Sequence, residues 1–150
     1  MIVAKDSSIQ IERLELGPWN TNAYIIKCLQ TGSSVLIDAP ADAGTIIKSL
    51  ENTKPAYILM THSHMDHTGA LRELSFNLKV PLAAHTADSN SLHYPAKISL
   101  NDGDVVSFGQ AMLEVLHTPG HTAGSLCFRI GKFLISGDTI FPGGPGKTDS

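Results

Sequence analysis

Six consecutive residues, His62-Ser63-His64-Met65-Asp66-His67, carry three imidazoles and one carboxylate. A loop gains no stability from massing imidazoles, so this cluster points to a ligand that needs nitrogen and oxygen donors. The cluster follows the apolar run Ala56-Tyr57-Ile58-Leu59-Met60, which is short, partly aliphatic and preceded by Pro55. Such a run reads as a buried strand. Thr68-Gly69 then leads into a segment with Leu71, Leu74 and Leu78 at helical spacing. The chain must therefore place a donor-rich loop between the carboxyl end of a strand and a helix, which is where α/β sheets hold their ligands. Four donors on one short loop, held by a rigid strand, suit a metal ion.

The remaining pattern supplies a scaffold for such a loop. Ile9 to Leu16 alternates apolar and polar residues as a half-buried strand does, and Gly17-Pro18-Trp19-Asn20 is a turn. A second strand is predicted over Asn22 to Leu29 and a third over Val35 to Ile37, joined through Thr31-Gly32-Ser33-Ser34 as an antiparallel meander. After Asp38-Ala39-Pro40, Asp42 is the expected N-cap of a helix to about Glu51, with Ile46, Ile47 and Leu50 facing inward. Beyond the donor loop, a helix is predicted over Gly69 to Leu78, a strand over Val80 to Ala84 and one helical turn over Ala87 to Leu92. A turn at Asn101 to Asp104 opens strands over Val105–Phe108, Met112–Leu116, Leu126–Ile130 and Phe133–Ile135, the last two a hairpin about Gly131-Lys132. Pro142 to Gly146 is loop by composition. This order predicts a mixed, layered α/β fold, an α+β arrangement in a single domain over residues 1–150. Two further strand-end loops carry metal-capable side chains, His121 within Thr118 to Ser125 and Asp138 within Ser136 to Thr139.

Charge and composition exclude several classes. A formal net charge of −3, with 11 basic residues spread along the chain, argues against a nucleic-acid surface. No apolar run approaches membrane-spanning length, and Met1 to Gln10 lacks the apolar core of a signal peptide. A cytoplasmic protein with no membrane partner is expected. Cys28 and Cys127 fall inside strand-like apolar runs and are expected to be buried thiols.

Taken together, His62 to His67, Pro119-Gly120-His121-Thr122 and Gly137-Asp138-Thr139 resemble the metallo-β-lactamase superfamily over nearly the whole chain. Gly137 to Phe141, followed by Gly143 to Asp149, is similar to its small glyoxalase II-like hydrolases. The resemblance implies an αββα sandwich with metals at the sheet edge. It implies that His62, His64 and His121 hold a first metal, that Asp66 and His67 serve a second, and that Asp138 bridges the two. Asp38 matches an acid that hydrogen-bonds the ligand framework, although a plain strand-end cap would explain it equally well. His117 is not expected to be a ligand, and His85 and His93 are expected to be surface or loop residues. Imidazole and carboxylate suit Zn²⁺, and also Fe²⁺ or Mn²⁺. Such an ion brings water to a pKa of about 7 and polarises a carbonyl. Asp66 would orient the resulting hydroxide or take its proton as the catalytic residue.

Thiolate leaves with little acid assistance, so the expected substrate is a small thioester such as S-lactoylglutathione, or a related ester. Two other readings remain. A mononuclear-iron persulfide dioxygenase would use His62, His121 and Asp138 as a facial triad, and a metal-binding fragment would have no activity. His64, where diiron flavoproteins usually carry a glutamate, disfavours that branch, and the acidic balance disfavours RNA processing. Relatives of this kind normally continue into a helix, further strands and a Gly-His-Gly motif, whereas no histidine follows His121 before Ser150. The expectation is a sandwich lacking its C-terminal part, an incomplete second metal site, and apolar sheet surface open to self-association.

Overall fold

The structure, a computed structural model, describes residues 1–62, 68–89, 92, 96–119, 123–136 and the backbone of 140–141. The described residues form two sheets. The first runs β1 (Ile2–Lys5), β2 (Ile9–Leu16), β3 (Thr21–Cys28), β4 (Ser33–Ile37), β5 (Lys54–Leu59), β6 (Leu82–Ala84) and β7 (Ile98–Ser99) in that spatial order. The second is ordered β12 (Ile140–Phe141), β11 (Phe133–Ile135), β10 (Leu126–Ile130), β9 (Ala111–His117) and β8 (Val105–Phe108). Strands β1 to β4 are antiparallel, β4 to β7 are parallel, and the second sheet is antiparallel throughout.

Alternation along the strands sorts the side chains between two cores. Tyr24, Ile26, Val35, Ile37 and Leu59 face the second sheet and meet Leu113, Val115, Phe128 and Ile135. Ala23, Ile25, Leu36, Ile58, Met60 and Leu82 face the opposite way, against Ile46 and Leu50 of α1 (Ala43–Leu50) and Leu71 and Leu74 of α2 (Leu71–Leu78). Central strands β3 and β4 are therefore buried on both faces, and the chain layers as helix, sheet, sheet. The outward face of the second sheet carries exposed Val105 and Met112.

The meander, both helices and the second-sheet hairpin stand where the sequence predicts them, with ends shifted by one or two residues. Helix α2 begins at Leu71 rather than Gly69, and the short helix α3 covers Thr86–Ser89 rather than Ala87 to Leu92. Asp42 occupies the N-cap of α1 but makes no side-chain cap bond. It sits at φ 54, and its Oδ2 accepts from Thr45 Oγ1 at 2.7 Å. Strands β1, β7 and β12 are additions. Each is four residues or fewer at a sheet edge, too short to show a period. Both cysteines are free thiols, but only Cys28 is buried; Cys127 is half-buried, because alternation turns it to the outward face of β10. The loop at Pro142 to Gly146 lies outside the described residues.

Crossover helices α1 and α2 lie on the same face of the first sheet. The carboxyl ends of β4 and β5 consequently emerge side by side, with Asp38 at one and Thr61-His62 at the other. Asp38 N donates to Leu59 O at 2.8 Å, and the second sheet joins at the same end, where Leu126 N donates to Thr61 O at 2.7 Å.

Candidate metal centre

Asp38 follows the last residue of β4 at φ 68, a left-handed conformation uncommon outside glycine that aspartate tolerates better than most residues. The side chain is fully buried. Its Oδ1 accepts the Thr61 N–H at 2.8 Å and its Oδ2 accepts the Thr61 hydroxyl at 2.7 Å. Thr61 Oγ1 lies 2.8 Å from His62 Nδ1. Thr61 has a single hydroxyl proton, and that proton goes to the carboxylate. Nδ1 of His62 must therefore donate to Oγ1, which makes Nε2 the nitrogen with the lone pair.

That tautomer is the one a metal-binding histidine requires, oriented by a hydrogen bond from its other nitrogen. His62 is buried with 5% of its surface accessible, so its ring direction is fixed by packing as well. Asp38 therefore does more than end its strand: both of its carboxylate oxygens hold Thr61, the residue directly before His62. Thr61, by contrast, is a residue that pattern reading passes over. The available signal was a hydroxyl side chain directly before the first histidine, at the mouth of a strand neighbouring one that ends in Asp.

Of the residues expected to bind metal, His62 is described. His64, Asp66, His67, His121 and Asp138 lie outside the described residues, as does His93. Among the described residues there is no group of three or more His, Cys, Asp or Glu side chains able to hold an ion. The backbone flanking the donor loops is held by hydrogen bonds to neighbouring elements. Past residues 63–67, the chain re-enters at buried Thr68, and Ala70 N donates to Ala39 O at 2.8 Å. Gly69 passes so close to the β4 end that an added Cβ would sit 2.2 Å from Pro40 O. The first donor loop thus returns to the segment that carries Asp38.

The loop containing His121 is closed at its base by Thr118 N donating to Ser125 O at 2.9 Å. His117 N donates to Asp102 Oδ1 at 2.8 Å, and His117 Nε2–H donates to Ala123 O at 2.9 Å. His85 does not stand as an isolated loop residue: its ring stacks on that of His117 with centroids 4.0 Å apart and planes 14° from parallel. Asp88, also buried, accepts Gly124 N–H on Oδ1 at 2.9 Å. Away from these loops, burial raises the Cys28 thiol pKa, but hydrogen bonds from Thr31 and the neighbouring backbone outweigh it and bring the thiol to about 7.

Comparison with known proteins shows the family. The sequence model of the metallo-beta-lactamase superfamily matches residues 16–150. A relative named "Probable metallo-hydrolase YqgX", from Bacillus subtilis (strain 168), is 34% identical over 163 residues, spanning 91% of this chain and 74% of its own. A hydroxyacylglutathione hydrolase of Shewanella baltica (strain OS185) is 33% identical, with 86% of this chain aligned to 51% of the enzyme. The chain therefore spans about half the length of that relative. Among solved structures, TTHA1623 in a di-iron-bound form superposes with a TM-score of 0.73 at 29% identity, covering 92% of this chain and 77% of that one. By fold, by motif and by these alignments, the chain belongs to the metallo-beta-lactamase superfamily.

Proposed function

We propose that the chain is a metal-dependent hydrolase that cleaves a thioester or ester carbonyl of a small molecule, in the manner of a hydroxyacylglutathione hydrolase. The observation that carries this reading is the buried series Asp38–Thr61–His62, which presents His62 Nε2 as a lone-pair donor. The likeness to a hydroxyacylglutathione hydrolase at 33% identity supports the thioester class. His62, His64 and His121 would hold one ion, Asp66 and His67 a second, with Asp138 shared between them. Zinc fits this donor set, and iron is an alternative consistent with the di-iron form of TTHA1623. When bound, the metal would supply Lewis acidity toward the carbonyl oxygen and lower the pKa of water to about 7.

The protein's own part is to hold these donors and manage one proton. Asp38 and Thr61 fix the direction of His62 before any ligand arrives, so this imidazole need not reorient on loading. Asp66 would orient the attacking water and accept its proton. A thiolate leaving group needs little acid assistance, which suits a donor set without an evident general acid.

The test is a substrate panel on the metal-loaded chain: S-lactoylglutathione, a simple ester, a lactone and a β-lactam, with oxygen uptake on glutathione persulfide measured in parallel. Thioester cleavage above the others supports the proposal. Oxygen uptake without thioester cleavage would establish the dioxygenase reading instead. Metal binding with no turnover on any substrate would leave only a metal-binding chain.

A further inference from the structure

Residues 118–125, the loop that carries His121, read Thr-Pro-Gly-His-Thr-Ala-Gly-Ser, and both Thr118 and Ala123 are exposed. Its described residues carry small side chains, and ordering such a segment costs conformational entropy that small side chains do little to offset. The described end of the loop is held from outside. Segment 85–88, some thirty residues earlier in the chain, supplies two side chains here, Asp88 to the loop backbone and His85 to His117 at the end of β9.

His85 covers one face of His117 at a 4.0 Å centroid distance, and His117 Nε2–H holds Ala123 O at 2.9 Å. Asp88 holds the next residue, Gly124, through its N–H at 2.9 Å. The single peptide unit that joins Ala123 and Gly124, just past His121, is therefore held at both its C=O and its N–H by side chains from two separate elements. The fit leaves no room for substitution at Gly124, where a Cβ would lie 2.7 Å from Asp88 Cγ and 2.8 Å from Asp88 N. A loop selected only to connect β9 to β10 would not need so close an approach to a buried carboxylate.

We infer that His85, Asp88 and His117 act as a clamp that positions His121 toward the metal. This rests on the reading of His121 as a ligand. None of the three is a catalytic residue: Asp88 and His117 act through the loop backbone, and His85 acts through His117. Loss of the clamp lowers the fraction of molecules with His121 in place, and the affinity for metal falls by that fraction.

The experiment is chelator competition for zinc on the full chain, alongside melting of the metal-free chain. Asp88→Ala and His85→Ala are expected to weaken zinc binding by roughly 10–100-fold, the range for groups that support metal ligands. His85→Phe keeps a ring face against His117 and is expected to bind within about threefold of the parent. A merely structural role would instead lower the metal-free melting temperature and leave zinc affinity unchanged. Parental zinc affinity in both alanine variants overturns the clamp, and since His85 is only half-buried, its variant remains informative if Asp88→Ala does not fold. His121→Ala is measured alongside. If it too binds zinc like the parent, the ligand assignment has failed rather than the clamp alone.

Discussion

Thr61→Val removes one oxygen from a site that is 1% exposed and replaces it with a methyl of nearly equal volume. Two hydrogen bonds go with that oxygen, the 2.7 Å bond to the Asp38 carboxylate and the 2.8 Å bond from His62 Nδ1. A bond to a charged group is worth about 1.5–3 kcal/mol and a neutral one about 0.5–1.5 kcal/mol, so the substitution should cost about 3 kcal/mol. For a chain of 150 residues that corresponds to a fall in melting temperature of roughly 6–12 °C. The second consequence concerns the metal. With Oγ1 gone, nothing on Thr61 selects the Nδ1–H tautomer or the ring angle of His62, and zinc affinity should drop by roughly 10–100-fold. Thr61→Ser keeps the hydroxyl and loses one methyl, so it should retain metal affinity while losing about 1 kcal/mol of stability. Thermal melting followed by circular dichroism, with zinc competition on the same samples, measures both effects. The reasoning is refuted if Thr61→Val melts within about 2 °C of the parent and competes for zinc equally well.

Gly69→Ala would place a Cβ 2.2 Å from Pro40 O, a backbone atom that cannot step aside. It should cost about 1–3 kcal/mol in denaturant unfolding, with the donor loop displaced. Asp38→Asn can accept one of the two Thr61 bonds but not both with the same geometry; reduced zinc affinity by competition is expected, with a smaller effect than Asp38→Ala. At the β1–β2 turn, hydrogen bonds from Ser8 N and Ile9 N lower the Asp6 pKa below its ordinary 3.8. The folded state therefore holds this proton more weakly than the unfolded chain. Its stabilisation is present above pH 3.8 and lost as the pH falls through and below that value. In urea titrations, Asp6→Ala should be less stable than the parent near neutral pH, with the gap closing in acid.

Sequence and structure agree most closely where burial sets the period. Ile9 to Leu16 alternates because each half of β2 buries one face, Ile9 and Ile11 in one core and Leu14 and Leu16 in the other, and that alternation is visible in the letters alone. Edge strands β1 and β7 escape because a four- or two-residue strand held by backbone pairing has no side-chain period to read. His62 is legible from its neighbours in sequence, since motif spacing is local. The roles of Thr61, His85 and Asp88 are not, because each depends on a partner in another element: Asp38, His117 and Gly124. Nothing in the sequence near His85 states that its ring lies on another imidazole 32 positions later, in β9. Tertiary contacts of this kind appear only once the sheets are assembled.

A metal-binding role of His62 in hydrolysis is tested most directly by the zinc-dependent cleavage of S-lactoylglutathione with and without that imidazole. The parent chain, supplied with zinc, should turn the thioester over. His62→Ala should lower kcat/KM by about two orders of magnitude or more, since several kcal/mol of charge stabilisation leave with the metal. Equal rates in the two proteins, with zinc supplied to both, would contradict the account.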